Sequence, residues 1–295
     1  MSLFRTMRHI TRAPLNRDRK LASVVRFLKW QIGSRLIPGK TMVPWVNNTR
    51  FIAGVGEHGL TGNVYEGLCD FKDMGFVLHA LNESDFFVDV GANVGAYTIL
   101  ACGAVRARGA CFEPVPETYG RLVTNLALND LRERVQSYNQ GVGDSRGVLR
   151  FTTGENAMNH VLAEHETTTN MVEVPVDTLD ASLSSAPTMM KIDVEGYETM
   201  VFRGATRTFA NEQLNALLVE LNGSGHRYGF DENPLLETLA GLGFRAYDYD
   251  PYARAITPLA KRNNPVGNTL FIRDLDRARQ RVREAPPFRI LGKSI

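Results

Sequence analysis

Apolar positions along this chain change period several times, and each change marks an element. Leu21, Val24, Val25, Leu28 and Ile32 recur at helical spacing, with Arg26, Lys29 and Arg35 off that stripe, and Pro38 and Gly39 would end the helix. Residues 41–65 hold short β-rich pieces, and Glu66 to Leu81 follows a helical pattern. Strands and helices then alternate. Phe86 to Val90 is a short β-branched run suited to a strand buried on both faces. Thr98 to Ala107 is the expected first crossover helix, Gly109 to Phe112 the second strand and Glu117 to Leu131 the second helix. Val135 to Gly141 predicts the third strand, and a turn from Gly143 to Gly147 leads into a hairpin strand, Val148 to Thr152. Residues 154–170 are polar and threonine-rich, a loop at the rim. Beyond Val172 to Val176 come a fourth core strand (Thr188 to Asp193), a helix (Glu198 to Ala210), a fifth strand (Ala216 to Leu221) and a helix (Pro234 to Leu242). Phe244 to Tyr249 and Thr269 to Ile272 form a closing strand pair.

This alternation predicts an α/β fold: a doubly wound, mostly parallel Rossmann-like sheet with one antiparallel edge strand, plus a basic N-terminal helical arm. Residues 1–60 are assigned to the arm and its β-rich lead-in, and residues 61–295 to the main domain. At 295 residues with 43% hydrophobic and 22% charged positions, the chain has a sizeable core and is not globally disordered.

Charge is unevenly spread. The first 40 residues carry ten Lys and Arg against the single acid Asp18, a net +9 that leaves −7 for the other 255 residues. A basic amphipathic helix suits an anionic membrane surface, so residues 17–37 are a candidate peripheral contact. The commoner arrangement, and the one expected here, packs the apolar stripe on the main domain and solvates the charges. Few aromatics (Phe4, Phe27, Trp30) interleave with those charges, which argues against nucleic acid as a partner. Cys69, Cys102 and Cys111 form no CxxC, and two of them lie in apolar segments as small buried hydrophobes would. With no signal-type apolar region and no run of 18 apolar residues, the expected compartment is the cytoplasm.

The first βα turn is where chemistry enters. Asp89-Val90-Gly91-Ala92-Asn93-Val94-Gly95 follows the first core strand, and the second ends in Glu113, 22 residues after Gly91. Glycines let the turn press against a ligand, and an acid at the second strand's tip can reach both hydroxyls of a ribose. The spacing is not the dinucleotide G-x-G-x-x-G. A carboxylate at Asp89 would repel a pyrophosphate, yet it can accept hydrogen bonds from the ammonium of S-adenosylmethionine (SAM), which has no phosphates. A turn glycine with an acid that only caps a helix is the structural alternative. Met190-Lys191-Ile192-Asp193-Val194-Glu195-Gly196-Tyr197-Glu198 is the second such segment: Lys191, Asp193 and Glu195 alternate with apolar residues at a strand end, where ligands bind in open α/β sheets. Its alternative is a self-neutralising Lys191–Asp193 pair with a helix-capping Glu195.

Together these segments resemble the FkbM family of SAM-dependent methyltransferases over roughly residues 60–285. The resemblance rests on the Asp89-to-Gly95 run, Phe112-Glu113-Pro114, Leu122 to Asn129, Val176 to Asp180 and Lys191 to Glu198. It implies a class I methyltransferase fold and methyl transfer to a hydroxyl of a sugar, glycan or secondary metabolite. Asp89, Gly91, Asn93 and Gly95 would line the methionine end of SAM, Glu113 the ribose, and Asp144 is a candidate for the adenine. A sugar hydroxyl is nearly as weak an acid as water, so its attack needs a base or a metal. Asp193 and Glu195 are the best-placed carboxylates, with Glu220 and His226 at the same rim, Lys191 as their counter-charge, and His160 and His165 in the polar loop. A metal held by Asp193, Glu195 and a histidine is conceivable, but no compact ligand spacing supports one, and none is assigned. Two other functions fit parts of the pattern: a nicotinamide-dependent oxidoreductase, and an inactive SAM-binding module tethered by its arm.

Overall fold

A computed structural model describes residues 3–36, 39–54, 60–154, 159–163, 165–264 and 267–295. Its centre is an eight-stranded sheet. In chain order the strands are β1 (Phe86–Val90), β2 (Arg108–Phe112), β3 (Val135–Tyr138), β4 (Met189–Ile192), β5 (Ala216–Glu220), β6 (Arg245–Asp250), β7 (Ala255–Pro258) and β8 (Asn268–Ile272). Across the sheet the order is β3-β2-β1-β4-β5-β8-β6-β7. From β3 to β5 the pairing is parallel, whereas β8 runs antiparallel to both β5 and β6. The winding reverses between β1 and β4, which leaves a crevice beyond their carboxyl ends.

An antiparallel edge strand is present as expected, but β7 supplies it, ending in Pro258. The strand read at Thr269 to Ile272 instead lies inside the sheet. All five β8 residues are buried, as an inserted strand covered on both faces requires. In a separate small sheet Met171–Asp177 pairs with Gly147–Thr152 on one side and Gly141–Val142 on the other, so the hairpin strand lies outside the main sheet.

The α-helices of five or more residues are α1 (Leu3–Arg12), α2 (Lys20–Leu36), α3 (Thr61–Glu66), α4 (Phe71–Ala80), α5 (Pro116–Leu128), α6 (Glu198–Arg203), α7 (Thr206–Ala210), α8 (Asn233–Gly241) and α9 (Leu275–Glu284). Between β1 and β2 a helical turn at Ala96–Thr98 runs on as π-helix over Ile99–Ala104, starting two residues earlier than expected. Two readings of one helix become two. The Glu66–Leu81 pattern is interrupted where Gly67, at φ +80°, ends α3. The Glu198–Ala210 pattern breaks at Gly204, where a Cβ would lie 1.9 Å from the Gly143 carbonyl oxygen. Helix α9 has no counterpart in the sequence reading, because only Ala278 and Val282 are buried on an otherwise charged surface. Pro38, the expected stop of α2, lies outside the described residues.

Strand alternation sends side chains to two cores. Phe87, Met189 and Leu218 join Met74, Val77 and Leu78 of α4 on one face, while Val88, Val90, Met190 and Ile192 join Phe202 and Leu239 on the other. Cys102 and Cys111 are buried and all three cysteines are free. One expectation is reversed. The apolar stripe of α2 faces outward, with Leu21, Val25, Leu28 and Ile32 exposed, and it is Ser23, Phe27 and Ser34 that are buried. Phe27 packs on Tyr65, and the Arg26 guanidinium donates to Asn16 Oδ1 and the Tyr65 carbonyl, so the opposite face is the one held.

Helix α4 leads from the crevice to a buried pair, His79 Nδ1 and the Tyr249 hydroxyl of β6, 2.6 Å apart. Burial, with the Arg254 charge, lowers the His79 pKa to about 4. The folded protein therefore holds this ring neutral while the unfolded chain protonates near pH 6.5. Its contribution of about 3 kcal/mol is present above pH 6.5 and is lost as pH falls towards 4. Denaturant unfolding across that range should show the loss in the wild type and a flatter profile in His79→Leu.

Candidate functional site

Asp89 on β1 and Lys191 on β4 are register partners, so their side chains stand side by side on one face of the sheet. Both are almost wholly buried. The Lys191 ammonium donates to Asp193 Oδ2 at 2.8 Å and lies 5.0 Å from the centre of the Tyr97 ring. The Tyr97 hydroxyl in turn donates to Asp70 Oδ2 at the start of α4. Burial pulls the Lys191 pKa down, but the carboxylates of Asp193, Asp89 and Asp70 outweigh it and hold the amine above its usual range. Burial and the nearby Asp70 charge push Asp73 up to about 7.

Asp89 accepts at Oδ2 from the Thr98 amide and hydroxyl, at 3.1 and 2.6 Å. Its Oδ1 is buried and has no hydrogen-bond partner among the described residues. An orphaned carboxylate oxygen in a cleft wall calls for a donor from outside the chain. Burial raises the Asp89 pKa even with Lys191 beside it.

The turn after β1 is tied down at both sides. The amides of Gly91 and Ala92 donate to the Phe112 carbonyl, and the Asp193 amide donates to Val90. Gly91 sits at φ +76°, and a Cβ there would come within 1.8 Å of the Asp193 carbonyl oxygen, so the two strand ends touch through bare backbone. Asn93, at φ +51°, donates its amide to Glu113 Oε2, and the Val115 amide binds Oε1. Each Glu113 oxygen thus takes one backbone donor and keeps capacity for another. Burial raises Glu113 to about 7, against these two amides, which pull it down.

A cleft of about 210 Å³ gathers most of the candidates: Asp89, Gly91, Asn93, Glu113, Lys191, Asp193 and Glu195 line it. A narrow apolar slot between Gln140, Gly141, Val142, Phe151, Val161 and Tyr197 adjoins it through Gly91, Pro114 and Val194. Gly95 precedes the helical turn and lies against Leu122. Asp144 stands exposed in the turn after the slot, with Ser145 donating to it. His226 and His165 are exposed and line neither space.

The carboxylates divide by role. Asp193, Glu195 and Glu220 each offer an oxygen within 4.8 Å of the others, and no histidine joins this group among the described residues. Glu220 Oε2 is buried without a hydrogen-bond partner among the described residues. Burial, then the charges of Asp193 and Glu195, raise its pKa to about 8. Glu195 is raised by burial and by Asp193, and its backbone is left-handed at φ +55°. Ahead of α6 it is Glu198 whose Oε1 accepts the amides of Val194 and Gly196, in place of the helix-capping Glu195 of the structural alternative. Of the polar loop, Asn159 lines the cleft and Val161 the slot. His160 lies 3.3 Å from Glu166, Glu166 meets Arg227 at 3.4 Å, and Arg227 donates to the Glu195 carbonyl.

Four contributors escape the sequence reading: Asp70, Tyr97, Thr98 and Phe151. Asp70 and Lys191 are 121 positions apart, and nothing local marks their proximity. Thr98 and Tyr97 do sit within the glycine-rich segment, one helical turn past Gly95, which is the one signal that points to them.

This donor set fits SAM. The orphaned Asp89 oxygen suits its ammonium, and Glu113 has acceptor capacity for a ribose diol. Comparison with known proteins agrees on class. The family described as Methyltransferase FkbM domain matches residues 89–246. The hexuronic acid methyltransferase AglP of Haloferax volcanii is 27% identical over 148 residues, 50% of this chain and 59% of that protein. The methyltransferase sdnD of Sordaria araneosa is 30% identical over 131 residues, 42% of this chain and 49% of that protein. The chain thus spans about half the length of these relatives. Among solved structures, the methyltransferase FkbM of Methylobacillus flagellatus KT is 16% identical, with a TM-score of 0.45, covering 65% of this chain and 44% of that one.

Replacing Lys191 by Met leaves its carboxylates crowded without a cation. The loss should be about 3–5 kcal/mol, the usual cost of breaking a buried ion pair from one side. Urea unfolding at pH 7 measures it, and the deficit should shrink as pH is lowered and the raised carboxylates take up protons.

Proposed function

The chain belongs to the methyltransferase FkbM family, and from that premise we propose that it methylates a hydroxyl on a sugar, glycan or secondary metabolite, with SAM as methyl donor. The observation that carries the reading is the buried, orphaned Asp89 oxygen in a cleft whose far side ends in Glu113. A hexuronic acid methyltransferase among the relatives supports a carbohydrate acceptor.

Bound SAM supplies an already activated methyl group, so the chain's own residues have to place an oxygen in line with it and take its proton. Asp89 would hold the ammonium, Glu113 the ribose, and the slot between Phe151 and Val142 the adenine. Asp193 borders the cleft and is steadied by Lys191, so it is placed to orient the acceptor hydroxyl and receive its proton. Glu220 stands next in line. Above its raised pKa of about 8 it is ionised and can take that proton on, after which water can remove it. Glu195 borders the same cleft and is placed to help orient the acceptor. Glu166, held by Arg227, would help to shield the rim from water.

Three outcomes follow. Calorimetry should show SAM binding that Glu113→Ala weakens by about 1.5–3 kcal/mol, the range for hydrogen bonds to a charged group; binding of a nicotinamide dinucleotide with none of SAM would overturn the reading. Asp193→Asn should lower turnover about 10²–10⁴-fold with little change in SAM affinity. Because Glu220 accepts a proton only when ionised, turnover should climb with pH through about 8, and Glu220→Gln should remove that limb. Transfer to candidate acceptors is read by mass as one added methyl group.

A further inference from the structure

Helix α2 presents a stripe of large apolar side chains to solvent. Leu21, Val25, Leu28, Ile32 and Leu36 are 79%, 42%, 43%, 57% and 75% exposed. At 3.6 residues per turn they fall within an arc of about 80° and run the length of the helix, about 25 Å. Isolated exposed leucines need no explanation, but a continuous line of five along one helix does.

Rotation cannot bury the stripe, because the opposite face is fixed. The Arg26 guanidinium is held by Asn16 and the Tyr65 carbonyl, Phe27 packs on Tyr65, and Ser34 is buried. Trp30 packs on the cluster that contains Val94, itself part of the cleft wall. The stripe is therefore outward by construction. Basic residues border it: helical geometry puts exposed Lys29 on one flank and exposed Arg35 on the other, with exposed Lys20 at the helix start. Asp18, the single acid among the first 40 residues, is paired with Lys293 at 2.7 Å.

We propose that α2 lies in the plane of an anionic lipid surface, its apolar stripe sunk among the acyl chains and its flanking Lys29 and Arg35 at the phosphates. The charge decides the occupant. A second copy of the chain docking through the same face would bring two arms of net +9 together, whereas acidic headgroups neutralise them. An apolar stripe between basic flanks is the pattern of helices that rest on membranes, and no helix among the described residues is long and apolar enough to cross one.

Sedimentation of the full-length chain with phosphatidylcholine vesicles containing about one-third phosphatidylglycerol tests the proposal, with pure phosphatidylcholine as control. The wild type should pellet with the anionic vesicles, pellet weakly with the neutral ones, and be released as salt shortens the Debye length to a few ångströms. Leu28→Glu with Ile32→Glu should weaken vesicle binding about tenfold or more, and Lys29→Glu with Arg35→Glu should do so independently through charge. Circular dichroism and SAM affinity, read on the same samples, should not move. That separates failure here from failure of the methyltransferase reading. Absence of wild-type binding to anionic vesicles would overturn the proposal, as would binding indifferent to both pairs of substitutions. So would a wild-type dimer, seen by sedimentation velocity, that the stripe variant makes monomeric while vesicles bind neither.

Discussion

The buried ammonium of Lys191 is the charge around which the cleft is assembled. Asp89 comes from β1, Asp193 from the end of β4 and Asp70 from the start of α4, and the Tyr97 ring lies beside the same cation. Each carboxylate alone would be costly to hold in so dry a place. Together with one ammonium they become mutually supporting, and Lys191 stays charged despite its burial. The cation thereby fixes three separate elements around one space. One Asp89 oxygen has no hydrogen-bond partner among the described residues, so the same arrangement that stabilises the cleft keeps an acceptor open to a donor from outside.

The parts of this plan legible in the sequence are those written in local pattern. The run from Phe86 to Gly95 and the acid at Glu113 announce a strand, a tight turn and a polar strand tip, and Asp89, Asn93 and Glu113 do meet in one cleft. The Lys191-to-Glu198 segment announces charge at a strand end, and both the Lys191–Asp193 pair and the cleft position of Glu195 follow from it. What stays hidden depends on contacts between distant segments. Asp70 reads as an ordinary residue ahead of a helix until Tyr97 and Lys191 arrive beside it. The break at Gly204 exists because the chain after β3 crosses there, which no helical periodicity records.

Helix α2 marks a different limit. Periodicity identifies its stripe correctly but carries no information on which side the domain lies. Phe27 and Trp30 form a second apolar face opposite the first, and the domain takes that one. Aromatic reach and the two hydrogen bonds of Arg26 outweigh the longer aliphatic line. The strand order shows the same limit: alternation announces parallel strands, yet the placement of β8 between β5 and β6 is set by which neighbours can cover a strand buried along its whole length.

The contact between Gly91 and the Asp193 carbonyl makes a rigid joint of two loops with separate duties. One loop brings Gly91 and Asn93 to the cleft and the other brings Asp193 and Glu195, and at position 91 there is no side chain to hold them apart. Any displacement of the first loop is passed directly to the second. The two ends of the cleft are thus held at a fixed spacing by a single missing methyl group, which a side chain at position 91 would force apart.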